Sequence, residues 1–177
     1  MDIYQNLKKD HETVKSLINE LLTLNENDEY RHTLIERIAT ELVPHARAEE
    51  AVFYNTLRTS DADTGIVMHS FKEHMEAEGL LRTLQAKDKT VGDWKKTAQK
   101  FKEELEHHIQ EEETKVFSLA RNLLTTEEAD QIGNAFLKFK AEYQGQGAIK
   151  NTADMILNLL PARFANKVNK LDVNPIR

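Results

Sequence analysis

The sequence of 177 residues contains no cysteine, three prolines and six glycines. Without cysteine the chain can form neither a disulfide nor a zinc–thiolate site, and it has no thiol for catalysis. No segment approaches the roughly 18 consecutive apolar residues of a membrane-spanning helix. The first twelve residues, MDIYQNLKKDHE, lack the apolar run of a signal peptide. We therefore expect a single domain with a cytoplasmic location.

Charge is abundant and unevenly distributed. Charged residues make up 31% of the chain and hydrophobic residues 40%, a balance typical of long helices with solvated outer faces. The net charge of −6 argues against nucleic acid as the main partner. Residues 138–177 contain seven basic and three acidic residues, a net charge of +4. The rest of the chain therefore carries −10.

Four long stretches place apolar residues at three- and four-residue spacing. They cover about residues 2–24, 28–57, 61–86 and 94–123, with Ser60 or Asp61 as the expected cap of the third. Short polar connections between them predict an all-α fold, an antiparallel up-down-up-down four-helix bundle. A capping-box pattern at Thr125–Glu128 predicts a packed fifth helix that ends near residues 145–147. Residues 1–144 would form this unit, with a core of about residues 1–123.

Residues 145–177 form a basic amphipathic tail, with one or two short helices split by Pro161. The favoured interpretation is a segment that packs on the bundle or in a homodimer contact. The alternative is a basic amphipathic helix that rests on a membrane surface.

Each of the four apolar stripes is interrupted near its middle by one histidine, and two of these histidines are followed four residues later by a glutamate. The residues are His11, His45, Glu49, His74, His108 and Glu112. Residues four apart share a helix face, and the midpoints of antiparallel helices lie at one level. We therefore expect four imidazoles and two carboxylates to converge inside the core, where unpaired polar groups are costly. This pattern predicts a metal site.

The H-x-x-x-E spacing alone is weak evidence, because the chain contains six such pairs where roughly 0.8 would be expected by chance. The helix face separates them. His32 and His69 lie two positions from apolar residues, about 200° around the helix, and should face solvent. His107 should lie at the edge of the buried stripe.

Six protein ligands exceed the needs of one tetrahedral zinc ion. Imidazole and carboxylate together suit transition metals such as iron, and carboxylates can bridge two ions. We therefore expect a dinuclear centre with two histidines on each ion, both carboxylates bridging and one solvent bridge. An octahedral ion would keep one open position for dioxygen, nitric oxide or peroxide.

Pro44 lies just before His45, inside the second apolar stripe. One hypothesis is that it kinks the helix and widens the bundle at the level of the site. The alternative is that a helix begins at Pro44, where proline is tolerated.

Four segments carry a resemblance to a known family: DHE (10–12), HARAEEAVFY (45–54), EHMEAE (73–78) and HIQEEETKVFSLAR (108–121). Over about residues 1–123 the chain resembles the hemerythrin-like, or HHE cation-binding, family. The resemblance implies a four-helix bundle around a non-haem di-iron site with an oxo or hydroxo bridge. The ligands it implies are the six residues named above.

One position departs from the oxygen-carrying hemerythrins, which have an H-x-x-x-H pair on the third helix. Here the residue four after His74 is Glu78. The pattern is more similar to the family's iron-sensing and nitric-oxide-linked iron–sulfur repair members. Glu78 would be either an additional ligand, or an acceptor for an imidazole N–H, or part of a salt bridge.

Three functions follow from these observations. The first is a protein that binds or senses dioxygen, nitric oxide or redox state through two iron ions. The second is a peroxidase- or oxidase-like enzyme, with Tyr54 as a candidate proton donor. The third is an iron store or a structural metal bundle, although the ferritin-like E-x-x-H motif Glu104–His107 lies off the buried stripe.

Overall fold

The structure is a computed structural model that describes residues 1–59, 65–87, 94–146 and 159–168. The helices are α1 (Ile3–Thr23), α2 (Tyr30–Ala48), α3 (Asn55–Arg58), α4 (Gly65–Lys87), α5 (Trp94–Glu111), α6 (Phe117–Leu123), α7 (Thr126–Gln146) and α8 (Ala162–Val168). Two π-helical segments, π1 (Glu49–Tyr54) and π2 (Glu112–Val116), connect α2 to α3 and α5 to α6. The expected cap at Ser60 or Asp61 lies outside the described residues, as do tail residues 147–158 and 169–177.

The four long helical segments, here called rods, are α1, α2–π1–α3, α4 and α5–π2–α6. They form a ring in which α1 contacts α2 and α5, and α4 contacts the same two helices. This arrangement confirms the predicted all-α bundle. The fifth helix, α7, packs against α1, α2 and π1. No helix among the described residues is both long and apolar enough to cross a membrane.

The helix starts follow from local chemistry. Asp2 and Gln5 exchange hydrogen bonds at the start of α1, forming a capping box. At the start of α7 the Thr125 backbone N–H donates to Glu128 (2.9 Å), and the Glu128 N–H donates to the Thr125 hydroxyl (3.2 Å). The predicted capping box at Thr125–Glu128 is therefore confirmed.

The π segments were not expected from the apolar periodicity of the sequence. The Asn55 N–H donates to the carbonyl of Glu50, and the Phe117 N–H donates to that of Glu112, each five residues back. A π turn inserts one residue into the helix and often marks a functional site. Each π segment begins at one of the two predicted glutamate ligands.

Pro44 lies inside α2 and is buried, so the alternative that a helix begins there is wrong. The proline cannot by itself explain the local irregularity of the helix. The π2 segment begins at the equivalent glutamate of the other rod, and no proline lies in the helix that precedes it.

The hydrophobic core consists of two clusters, one on each side of the histidine level. Leu7 and Val52 belong to one cluster, together with residues of α7. Val14 and Leu42 belong to the other. The four predicted histidines lie where each rod passes from one cluster to the other. A polar layer therefore separates two apolar halves of the bundle.

The helices α7 and α8, which follow the four rods in the chain, pack on the same half of the bundle. Leu160 and Phe164, from the described part of the tail, are buried, and α8 contacts α3. This part of the tail packs on the bundle, as the favoured interpretation expected. On α7, Gly133 approaches the chain start so closely that an added Cβ would lie 2.7 Å from the Met1 carbonyl oxygen.

Candidate metal centre

All six predicted ligand residues are buried and converge at the level between the two core clusters. Glu49 and Glu112 have no solvent exposure, and the four histidines are between 3% and 7% exposed. The three remaining histidines that the sequence analysis placed outside the core (His32, His69 and His107) are exposed, which confirms the assignment of faces.

The four imidazoles form two pairs. His74 and His108 have their Nε2 atoms 3.0 Å apart, and Glu49 Oε2 lies 3.3 Å from His74 Nε2. The rings of His11 and His45 lie 5.2 Å apart, centre to centre, and Glu112 Oε2 lies 3.2 Å from His11 Nε2.

Glu49 stands between the two pairs. Its Oε2 atom is 3.6 Å from His45 Nε2 as well as close to His74. The cluster therefore consists of two half-sites, each with two imidazoles and one carboxylate, and Glu49 reaches both.

A ring of four acidic residues surrounds the cluster and fixes the imidazoles. Each Nδ1 atom lies within hydrogen-bond distance of one carboxylate: His11 with Glu113 (2.9 Å), His45 with Asp10 (3.1 Å), His74 with Glu50 (2.9 Å) and His108 with Glu73 (3.0 Å). A neutral imidazole that donates from Nδ1 presents a lone pair at Nε2. Such carboxylate–histidine pairs orient metal-binding histidines and increase their basicity.

At the centre of the cluster, lone pairs therefore outnumber the protons that could form hydrogen bonds with them. His11 Nε2, both carboxylate oxygens of Glu49 and Glu112 Oε2 are buried without a hydrogen-bond partner. The Nε2 atoms of His74 and His108 face each other at 3.0 Å. Two nitrogens at right angles on one ion, with bonds of about 2.1 Å, would lie about 3.0 Å apart. Donor type, spacing and unpaired oxygens therefore fit a cation.

The pKa values show the same imbalance of charge. Burial and the neighbouring Glu112 raise the pKa of Glu49 well above its usual range. Burial would also raise the pKa of Glu112, but its contacts with Glu49 and His11 lower it overall. Burial would lower the pKa of His11, yet Glu112 and Glu113 outweigh burial and raise it to about 9. Without a metal ion, the raised pKa values keep protons on Glu49 and His11. A bound metal ion would supply that positive charge instead.

At two other histidines burial outweighs the neighbouring carboxylates. It lowers the pKa of His45 to about 4 and also lowers that of His108. Both imidazoles are neutral near pH 7, which is the form that binds metal.

The ring of outer carboxylates was not predicted, although the sequence contains a signal for it. The cluster repeats with an offset of 63 residues: Asp10 and Glu73, His11 and His74, His45 and His108, Glu49 and Glu112, Glu50 and Glu113. Each outer acid is adjacent in sequence to a predicted ligand, at the same relative position in both halves. Comparison of the two halves would have identified all four acids.

Glu78 and Tyr54, two further residues considered from sequence, lie at the edge of the cluster. Glu78 forms ion pairs with Arg47 and Arg82, each at 2.5 Å, so the structure shows the salt bridge among its expected roles. The buried Tyr54 hydroxyl donates to Glu112 Oε1 at 3.4 Å.

A small cavity of about 30 Å³ adjoins the cluster. Its lining includes the four histidines, Asp10 and Glu78. Apolar side chains also line it, including Val14, Leu42, Leu81, Leu105 and Ile109.

Two known proteins resemble this chain. A protein named DNA nickase from Nostoc sp. (strain PCC 7120) is 26% identical over 144 residues, which is 81% of this chain and 40% of the nickase. The chain thus spans about two-fifths of the length of that curated relative. The fold is shared with the crystal structure of a hemerythrin HHE cation-binding domain-containing protein from Mycobacterium kansasii, with a TM-score of 0.71 at 23% identity. The match covers 94% of this chain and 99% of that one.

The sequence profile of the hemerythrin HHE cation-binding domain matches residues 2–120, which include all six candidate ligands and the four outer acids. The resemblance noted in the four sequence segments is thereby confirmed. The chain is a metal-binding protein that belongs to the hemerythrin HHE cation-binding domain family.

Proposed function

We propose that the cluster holds two iron ions and that the protein binds or senses a small ligand there, dioxygen or nitric oxide. The arrangement of the four imidazoles in two pairs, each with one buried carboxylate, carries this proposal. His74, His108 and Glu49 would hold one ion, because their ligand atoms lie together. His11, His45 and Glu112 would hold the other. When bound, iron supplies a redox-active Lewis acid for such a ligand.

The cavity beside the cluster favours a small ligand over an organic substrate. A volume of about 30 Å³ accommodates one or two water-sized molecules. The Arg47–Glu78 ion pair joins α2 and α4 beside the cavity. The apolar lining favours an uncharged gas, because transfer of a charged group into such a cavity is costly.

The test combines metal analysis with optical titration. Protein loaded anaerobically with ferrous iron should retain about two irons per chain after desalting. Its visible absorption should change on addition of dioxygen or nitric oxide and return when the gas is removed. Retention of one zinc ion per chain in place of iron would remove the di-iron proposal. An absorption spectrum indifferent to both gases would leave the metal site without the proposed ligand.

A second candidate, a peroxide-consuming enzyme, is favoured by one residue. The Tyr54 hydroxyl is buried beside the cluster and donates to Glu112 Oε1 at 3.4 Å. Burial, Glu112 and Glu49 raise its pKa, so it is protonated at neutral pH and lies within reach of the predicted ligands, where a general acid is needed. The equivalent residue in the other half, 63 positions later, is Phe117. The variant Tyr54→Phe therefore makes the two halves alike with little change in packing.

For the enzyme, Tyr54→Phe should abolish most peroxide turnover while iron content stays that of the wild type. Turnover that survives in the variant would exclude Tyr54 as the donor. Wild-type protein that retains two irons and consumes no peroxide would exclude the enzyme and leave the binding function in place.

A further inference from the structure

A second group of histidines and acids lies on the outer face of α4 and α5. His69 Nε2 is 3.5 Å from Glu73 Oε1 and 3.8 Å from Glu111 Oε2. His107 Nε2 is 3.8 Å from the same Glu73 oxygen. These four residues, here called the outer cluster, are two H-x-x-x-E pairs on neighbouring helices. From the sequence, His69 was expected to face solvent and His107 to lie at the edge of the buried stripe, and neither was expected to bind metal.

The surroundings of Glu73 differ from those of the other three outer acids. Each of those three has, besides its histidine, a fixed cation as a second partner: Asp10 with Lys140 (2.8 Å), Glu113 with Lys8 (3.4 Å) and Glu50 with Arg47 (3.1 Å). Glu73 instead faces the imidazoles of His69 and His107. Imidazole is the commonest metal-binding side chain in proteins. A bound cation would give Glu73 the positive charge that lysine or arginine gives the others.

We propose that the outer cluster is a second metal site, which binds one divalent transition-metal ion such as zinc. His69, His107, Glu73 and Glu111 would be its ligands. Ligand atoms about 2.1 Å from a tetrahedral zinc ion lie about 3.4 Å from one another. The nitrogen–oxygen separations of 3.5–3.8 Å in the outer cluster are close to that value. Small side-chain movements would complete the site.

The remaining contacts of the outer cluster are compatible with a bound ion. Lys115 pairs with Oε1 of Glu111, whereas Oε2 of the same carboxylate faces His69. The side chains of His69 and His107 are 50% and 59% exposed, so an ion can reach them from solvent without passing through the bundle.

The outer cluster also contacts the buried one through a single carboxylate. Glu73 Oε1 faces the two outer imidazoles, and Glu73 Oε2 accepts the hydrogen bond from His108 Nδ1 at 3.0 Å. An ion on the outer cluster would draw electron density from the carboxylate that orients His108. Occupation of the outer site should therefore perturb the buried centre as well.

The experiment is a zinc titration of protein whose buried centre has first been saturated with iron. After desalting, zinc and iron are measured together by elemental analysis. Wild-type protein should take up one zinc per chain and lose no iron. The double variant His69→Ala/His107→Ala should bind zinc more than about tenfold more weakly and keep its iron. His32→Ala is the matched control, because His32 also heads an exposed H-x-x-x-E pair and should leave zinc uptake unchanged.

Three outcomes would overturn the proposal. Equal zinc uptake by the double variant would place the ion elsewhere. Zinc uptake matched by iron loss would mean that zinc enters the buried centre. No uptake by wild-type protein would mean that the imidazoles are only hydrogen-bonding partners of Glu73. The difference between wild type and double variant is informative even if the buried centre holds a metal other than iron, so failure of the di-iron proposal would be recognised separately.

Discussion

Two consecutive glutamates, Glu49 and Glu50, should respond in opposite ways to the same isosteric substitution. Both oxygens of Glu49 are buried without a hydrogen-bond partner, and burial together with Glu112 raises its pKa. Glu50 accepts from His74 Nδ1 at 2.9 Å and pairs with Arg47 at 3.1 Å. We therefore expect Glu49→Gln to stabilise the metal-free protein and Glu50→Gln to destabilise it.

The magnitude follows from the buried oxygens. An unsatisfied buried polar group costs about 1–3 kcal/mol. The amide of Glu49→Gln can donate to Glu112 Oε2, which is also unsatisfied. We expect the free energy of unfolding in chelator to rise by about 1–3 kcal/mol. Glu50→Gln should lower it by a similar amount, because the amide presents a donor to Arg47 in place of an acceptor.

The pH dependence of this gain has a definite sign. The folded-state pKa of Glu49 is raised, so its proton stabilises the folded protein below the normal carboxyl pKa of about 4.3. That contribution is lost as the pH rises through the raised value. The gap between Glu49→Gln and the wild type should therefore widen as the pH rises from acid toward neutral.

Metal should narrow or reverse this difference in stability between the two proteins. At free metal one hundred times its dissociation constant, the wild type should gain about 2.7 kcal/mol. Glu49→Gln loses a carboxylate ligand and should gain much less. The assay is urea unfolding followed by circular dichroism, with chelator and with ferrous iron under anaerobic conditions. Destabilisation by Glu49→Gln in chelator, or an equal response of both proteins to metal, would refute the argument.

Three other predictions concern metal retention and packing. His108→Ala should lower metal content measured by elemental analysis, whereas His32→Ala should not, and equal losses would contradict the assignment of helix faces. As the pH is lowered, metal affinity should fall about tenfold per pH unit for each proton that the metal displaces. The reason is that His11, with a pKa of about 9, binds a proton in competition with metal. Metal should be lost as the pH approaches 5, and a constant metal content through that range would contradict histidine ligation. Gly133→Ala should lower the free energy of unfolding by about 1–3 kcal/mol, since its Cβ would lie 2.7 Å from the Met1 carbonyl. Gly79→Ala, where nothing lies within 4 Å, should raise it by about 0.5–1 kcal/mol, and equal effects in thermal melts would contradict the close contact.

The rods and the inward-facing ligands could be predicted because helix periodicity is a local property of the sequence. Val14, Leu42 and Leu105 fix the buried face of three rods, and each nearby histidine continues that face. The antiparallel ring then brings the helix midpoints to one level. Topology and period were therefore sufficient to group the six side chains before any distance was known.

The π segments could not be predicted in this way. A π turn keeps the backbone helical and changes the hydrogen-bond partner by one residue, so the apolar pattern continues with little change. Pro44 drew attention to the correct rod, yet π2 forms without a proline in α5. The outer acids were missed for a different reason. Asp10 and Glu73 each precede a histidine on their own helix but bond to a histidine of another helix, and only the packing shows which one.

The repeat of 63 residues explains why the two half-sites are alike, and the exceptions to it show where they differ. Glu49 and Glu112 are equivalent, but Tyr54 donates to Glu112 while its counterpart, Phe117, carries no hydroxyl. Asp10 forms an ion pair with Lys140, whereas its equivalent, Glu73, lies beside the imidazoles of the outer cluster. If two ions occupy the half-sites, their protein ligands are therefore matched and their surroundings are not. The phenol of Tyr54 and the charge carried by the outer cluster are two such differences, and each would make the two ions unequal in reactivity.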